Sequence, residues 1–123
     1  MSAGRRVLVV DDNRDSAETI AMLVELWGHD VRVVHDGPAA LASVSESADW
    51  CPEVVLLDIG LPGIDGYEVA RRLRQVPSLA GILMVAMTGY GQERDRQLSR
   101  EAGFDHHLVK PVDPVKLQGL LAG

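Results

Sequence analysis

Residues 54–58 read Val54-Val55-Leu56-Leu57-Asp58, four consecutive apolar residues closed by a carboxylate. A short apolar run with β-branched members is the signature of a strand buried on both faces. Such strands occur in parallel sheets covered by helices, so the flanking sequence should alternate between strand and helix patterns. It does so in both directions. On the N-terminal side stand Val7-Leu8-Val9-Val10, then Ala17, Ile20, Ala21, Val24 and Trp27 at helical spacing, with Gly28 as a stop. Val31-Arg32-Val33-Val34 follows, then Gly37-Pro38 with the proline suited to a first helical position, then the stripe Ala40, Leu41, Val44. On the C-terminal side Val69, Ala70 and Leu73 mark a third helix, and Ile82-Leu83-Met84-Val85-Ala86-Met87 is a fourth apolar run broken at Gly89-Tyr90-Gly91. The segment 92–101 is almost wholly polar, with Leu98 and Ala102 its inward candidates, which predicts a loosely attached helix. His107-Leu108-Val109 is a short fifth strand, and a last helix starts at Asp113.

Five β-then-α units with right-handed crossovers make an α/β fold, a doubly wound (βα)5 three-layer sandwich. Its ligand site is expected beyond the C-terminal ends of the strands, where strand order reverses. The first strand ends in Asp11-Asp12, the third in Asp58, the fourth in Thr88 and the fifth in Lys110. Taken singly, Asp12 reads as a cap for the first helix, and Thr88 and Lys110-Pro111 as structural. Their joint placement argues for chemistry. Three crowded carboxylates stay ionised only if a cation offsets them, and hard oxygen ligands with room for water favour Mg²⁺. With one lysine and one hydroxyl added, the set is a layout for phosphoryl transfer. Asp58, after the central strand, is the expected nucleophile. Asp12 would bind the metal directly and Asp11 through water. The Ile59–Gly60 turn would supply a carbonyl to the metal and an amide to the phosphate.

Composition narrows the alternatives. Of 123 residues, 46% are hydrophobic and 24% charged, the balance of a globular protein. A formal net charge of −6 argues against direct nucleic-acid binding. The one dense basic stretch, Arg71-Arg72-Leu73-Arg74, reads as the solvated outer face of a helix. No apolar run approaches the ~20 residues of a membrane span. The N-terminal apolar stretch is too short for a signal peptide, and the single Cys51 suits a reducing cytosol, so a cytoplasmic location is expected. No linker or repeat divides the chain, which is expected to be a short tail (1–4) and one domain (5–123).

The stretches 7–13 (VLVVDDN), 54–66 (VVLLDIGLPGIDG), 87–89 (MTG) and 108–111 (LVKP) resemble the receiver domains of bacterial response regulators. The resemblance spans about residues 5–121. It implies the flavodoxin-like strand order 2-1-3-4-5 and a phosphoryl group passed to Asp58 from a histidine kinase or histidine phosphotransfer domain. It also implies Mg²⁺ on Asp12, Asp58 and the Gly60 carbonyl, with Asp11 nearby. Lys110, Thr88, Ile59 and Gly89 would contact the phosphate, and Lys110-Pro111 would be cis. The stretches 88–96 (TGYGQERDR) and 103–111 (GFDHHLVKP) are similar to receivers fused to sensor kinases. No output domain is expected in what remains of the chain, so output should be a protein contact. The polar helix at 92–101, with Arg94, Asp95, Arg96, Arg100 and Glu101, reads equally as a solvated face or as part of a homodimer surface with the fifth strand and last helix.

Two positions depart from the family pattern. Members usually carry Phe or Tyr where this chain has His107. There, the resemblance implies, the aromatic follows the Thr88 equivalent inward when phosphate binds. His107 reads either as that switch residue or as a half-buried strand residue, while His106 should face solvent. Gly60 stands where many members have Met or Asn. The small residue opens the site to water, whereas Tyr90 is placed to shield it, and the sequence supports both readings. A haloacid-dehalogenase-type phosphatase would need Asp-x-Asp after the first strand and a cap segment. A flavodoxin would need Gly, Ser and Thr there. Asp11-Asp12-Asn13-Arg14 matches neither.

Overall fold

Alternation along the strands sorts the core into two layers. In the computed structural model, which describes residues 4–44, 50–61, 63, 65–89 and 100–122, the sheet is formed by β1 (Arg6–Val10), β2 (Asp30–Val34), β3 (Val54–Asp58), β4 (Leu83–Thr88) and β5 (His106–Val109). The strands are parallel and ordered β2-β1-β3-β4-β5. This is the expected doubly wound sheet, with the order reversing between β1 and β3. Successive side chains point to opposite faces. Leu8 and Val10, Val55 and Leu57, and Met84 and Ala86 therefore pack with Ala40, Val69, Ala70 and Leu73 on one side. Val7 and Val9, Val54 and Leu56, and Val85 and Met87 pack with Ala17, Ile20, Val24, Leu117 and Leu121 on the other.

The helices among the described residues include α1 (Arg14–Leu26), α2 (Gly37–Ser43), α3 (Gly66–Arg74) and α4 (Pro114–Ala122), with a 3-10 turn at Pro77–Leu79. Four starts are capped by side chains, the last helix by Asp113, whose Oδ1 accepts from the Val115 amide at 2.9 Å. Asn13 accepts from the Ser16 amide, Asp36 from Ala39 and Asp65 from Glu68. Asn13, rather than Asp12, thus caps α1, which leaves Asp12 exposed at the strand end. Pro38 sits one position later than expected, because Gly37 opens α2. Gly28 ends α1 region as expected, at φ 92°, a conformation other residues avoid.

The three inner strands are buried on both faces, but β2 and β5 are edges and are only partly covered. Trp50 closes over the β2 edge: its indole donates to Asp30 at 2.7 Å and its ring carries the Arg32 guanidinium at 4.6 Å. Arg71 and Arg72 do form a solvated face, paired with Glu68. Arg74 does not. Its guanidinium turns inward to the carbonyls of Gly103, Ala80 and Ile82 and to the Asp105 carboxylate. The reason is a cluster of chain ends below β4 and β5 whose carbonyls have no ladder partner. Leu98, Tyr90 and most of the polar segment 92–101 lie outside the described residues, while Ala102 is buried as expected.

Candidate functional site: an acidic crevice at the strand ends

β1 and β3 are adjacent and parallel, so the residues that follow them emerge side by side. The carboxylates of Asp11, Asp12 and Asp58 each offer an oxygen, and these atoms lie within 4.8 Å of one another. Asp11 is fully buried, Asp58 is 8% exposed and Asp12 is open to solvent. Lys110, at the end of β5, reaches back to both inner carboxylates, with Nζ 2.9 Å from Asp11 Oδ2 and 3.0 Å from Asp58 Oδ2. The remaining oxygens are held by the backbone. The Asn13 amide donates to Asp11 Oδ1 at 3.0 Å, and the Gly60 amide donates to Asp58 Oδ1 at 2.8 Å.

Burial sets the electrostatics. It pushes the Asp58 carboxyl above the usual carboxylate range, although the Gly60 amide and the Lys110 ammonium both pull the other way. For Lys110, burial opposes the charged form, but the hydrogen bonds and charges of Asp11 and Asp58 outweigh it and hold the ammonium above its ordinary value. One cation therefore serves two carboxylates, and a third carboxylate stands beside them. The donor set is all hard oxygen with one face open to water, which fits a small divalent cation such as Mg²⁺.

Thr88 ends β4 fully buried, and its Oγ1 has no hydrogen-bond partner among the described residues. A buried hydroxyl at a strand end with no partner among the described residues is available to a ligand or to a bound water. The Thr88 carbonyl accepts from the Lys110 amide at 2.7 Å, which ties the lysine's backbone to the end of β4. Gly89 follows directly, and the Lys110-Pro111 bond is cis, as expected. One expectation is corrected. The Ile59 amide does not face the crevice: it makes a sheet bond to the Met87 carbonyl at 3.1 Å, because β3 pairing with β4 continues past Asp58. The amide beside the Asp58 carboxylate is that of Gly60.

His106 is exposed and His107 is half-buried. His107 pairs in register with Ala86, so it projects from the same sheet face as Thr88. The Phe104 ring lies 6.4 Å from the His107 ring, and Tyr67 of α3 packs edge-on against Phe104 at 6.4 Å.

The comparisons with known proteins agree with this geometry. The family model for the response regulator receiver domain matches residues 7–122. The chain belongs to the response regulator receiver domain family. The receiver is 33% identical over 111 residues to an uncharacterized 14.6 kDa protein of Leptolyngbya boryana, covering 90% of this chain and 82% of that one. It is 37% identical over 113 residues to the DNA-binding response regulator MtrA of Mycobacterium tuberculosis, covering 92% of this chain but only 47% of MtrA. Among solved structures, the receiver domain of a sensor histidine kinase from Pseudomonas aeruginosa superposes with a TM-score of 0.84 at 29% identity, covering 97% of this chain and 95% of that one. That structure holds a magnesium ion in its active-site cleft. The receiver is accordingly a phosphoacceptor of two-component signalling, a regulatory domain rather than an enzyme that turns over substrate, and its acidic trio is the Mg²⁺ pocket of such domains.

Two anchors of the site escape a reading by residue type. Asn13 contributes through its backbone, which no side-chain motif reveals. His35, whose ring Nδ1 lies 3.0 Å from the Asp11 carbonyl, follows directly on β2. The strand-end rule that singled out Asp11, Asp58, Thr88 and Lys110 applies to it as well.

Proposed function

We propose that Asp58 accepts the phosphoryl group from a phosphohistidine on a histidine kinase or phosphotransfer domain. The supporting observation is the meeting of Asp11, Asp12 and Asp58 with Lys110 bridging two of them. An Asp58 oxygen forms the bond to phosphorus as the donor's P–N bond breaks, and the bonding pair returns to the imidazole. Asp11, Asp12, Asp58 and the Gly60 carbonyl would hold Mg²⁺, which would supply positive charge to offset the phosphoryl oxygens. Lys110 passes from the Asp58 carboxylate to the phosphoryl oxygens, and the Gly60 and Gly89 amides donate to them. Thr88 Oγ1, which lacks a partner among the described residues, donates to the same group.

In this reading the Thr88 movement is passed to His107, which shares its sheet face and packs on Phe104. The altered surface includes β5 and α4, where Val109 and Val115 are exposed apolar residues suited to a second copy or a partner. Residues 5–123 are read as the receiver and 1–4 as a tail, supported by the family match over 7–122. Attachment to, or derivation from, a hybrid sensor kinase is supported by the likeness to the Pseudomonas receiver. Function beside a kinase's cytoplasmic domain agrees with the absence, among the described residues, of any helix long and apolar enough to cross a membrane.

The test is mass spectrometry after incubation with Mg²⁺ and a small acyl phosphate. One phosphoryl group is expected, located on Asp58 and missing from Asp58→Asn. Label on another residue, or continuous turnover of the donor without a labelled intermediate, would overturn the reading.

A further inference from the structure

We infer that His35 is a positioning residue for the two metal-binding carboxylates that follow β1, acting through the peptide that joins them. The inference rests on the reading that the acidic trio binds Mg²⁺.

The argument begins with the β1–β2 ladder. The strands pair in register from Arg6 with Asp30 to Val10 with Val34, and the Asp11 amide extends the ladder by donating to the Val34 carbonyl at 3.1 Å. In a parallel pair the next bond runs back from the neighbouring strand to the Asp11 carbonyl, and its donor would be the amide of Asp36. The chain leaves the sheet before that bond is made, since Asp36 serves as the cap of α2 and its side chain takes the Ala39 amide at 2.7 Å. The carbonyl of a fully buried residue is thereby left without its ladder donor, a costly state for a main-chain acceptor. The His35 ring fills the gap, with Nδ1 3.0 Å from that oxygen. Because a carbonyl only accepts, the bond requires a proton on Nδ1.

The position of this bond makes it more than a patch on the sheet. Asp11 is held at its amide by Val34, at Oδ1 by the Asn13 amide and at Oδ2 by Lys110. None of these touches the peptide plane between Asp11 and Asp12. That plane sets the direction in which the exposed Asp12 leaves the strand, and Asp12 itself is too open to be fixed by packing. Among the described residues, the imidazole is the side chain that anchors this plane. A metal site whose ligands are oriented by outer partners loses affinity when those partners go.

The experiment compares wild type with His35→Leu, which keeps the bulk without the donor, and His35→Asn, whose amide N–H replaces Nδ1–H. Mg²⁺ affinity is measured by calorimetry on metal-free protein, alongside urea midpoints and amide spectra. His35→Leu is expected to weaken Mg²⁺ binding about tenfold, with His35→Asn within about twofold of wild type. In metal-free protein the Asp12 and Asn13 amide resonances should move in the leucine variant and stay close to wild type in the asparagine variant. A folded His35→Leu protein with wild-type affinity overturns the inference, as does a His35→Asn protein that loses as much as the leucine variant. Should His35→Leu fail to fold, the wild-type imidazole nitrogen spectrum decides: a protonated Nδ1 supports the inference and an unprotonated one rejects it. Wild type that binds no Mg²⁺ rejects the metal reading instead, and the same imidazole spectrum still tests the hydrogen bond.

Discussion

Gly66 is where the scaffold and the crevice press on each other most closely. It opens α3, and its amide donates to the Ile59 carbonyl at 3.3 Å. A Cβ at this position would sit against the Ile59 Cα and 2.7 Å from the Asp58 carbonyl oxygen, with the Ile59 nitrogen 3.1 Å away. All three are main-chain atoms, so no rotamer change relieves the contact. Relaxing to an ordinary van der Waals separation of ~3.5 Å requires a movement of roughly an ångström. The Asp58–Ile59 peptide cannot supply it alone, because the Ile59 amide is tied to Met87 on its other side. Helix α3 must then back away, loosening Val69, Ala70 and Leu73, which are fully buried.

Overpacking of this kind costs about 1–3 kcal/mol. With a urea slope of about 2 kcal/mol/M, Gly66→Ala should lower the midpoint by roughly 1 M. The displaced turn carries Gly60, whose amide holds Asp58 Oδ1 at 2.8 Å, so Mg²⁺ affinity should fall together with stability. Gly119→Ala is the control. A Cβ there meets nothing within 4 Å, and alanine in the middle of α4 should gain about 0.5–1 kcal/mol. Urea unfolding and Mg²⁺ titration of both variants check the pair. A Gly66→Ala protein as stable as wild type, with unchanged Mg²⁺ affinity, would refute the claim that the helix start abuts the phosphoacceptor turn.

Three other outcomes follow from the same geometry. Burial raises the Asp58 carboxyl above its unfolded value, so the folded state holds its proton longer and metal-free stability is lost as pH rises from the unfolded value of about 3.9 through the folded one. In chelator, Asp58→Asn should therefore gain stability relative to wild type between pH 4 and pH 7 in urea titrations, and an advantage equal at both pH values would contradict this. Lys110→Ala leaves two inner carboxylates without their shared ammonium, and should lower metal-free stability by about 1–3 kcal/mol, discounted for the lysine's partial exposure. Added Mg²⁺ should stabilise that variant more than wild type, read as the shift in thermal midpoint. Arg74→Ala removes the donor to three carbonyls and the partner of Asp105, with an expected loss of about 2–3 kcal/mol, yet Mg²⁺ affinity of the folded variant should stay close to wild type because the crevice lies at the other end of the sheet.

The legible parts of this fold are those where one residue type has one physical use. Apolar runs such as Val54-Val55-Leu56-Leu57 have no stable place except an inner strand, and carboxylates at their ends mark the crevice. Arg74 was illegible for the opposite reason. In sequence it continues Arg71 and Arg72, which do face solvent, and only the fold shows that its reach ends under β4 among unpaired carbonyls. The Ile59 and Gly60 amides show the same limit on a finer scale. Adjacent backbone groups have identical chemistry, and only the register of β3 against β4 decides that Ile59 belongs to the sheet and Gly60 to the site.

Charge explains why a single lysine is enough. The three carboxylates set against one ammonium leave two negative charges in a crevice that buries most of Asp11 and Asp58. That excess equals the charge of one divalent cation, so the loaded site is balanced before any phosphoryl group arrives. Forming the acyl phosphate replaces the single charge of the Asp58 carboxylate with the near-double charge of a phosphoryl group. The site then holds about one negative charge too many, in surroundings where Lys110 has just lost one of its two partners. In the resting site the lysine is also tied to Asp11 at 2.9 Å, so in the proposed phosphorylated state it would keep that anchor while its freed N–H groups bond the phosphoryl oxygens. The buried Thr88 hydroxyl, at the end of the adjoining strand β4, is a neutral donor with no partner among the described residues. Phosphorylation thus creates a demand for hydrogen bonds that the resting site does not make, and under the proposed function that demand falls on Thr88, which shares a sheet face with His107.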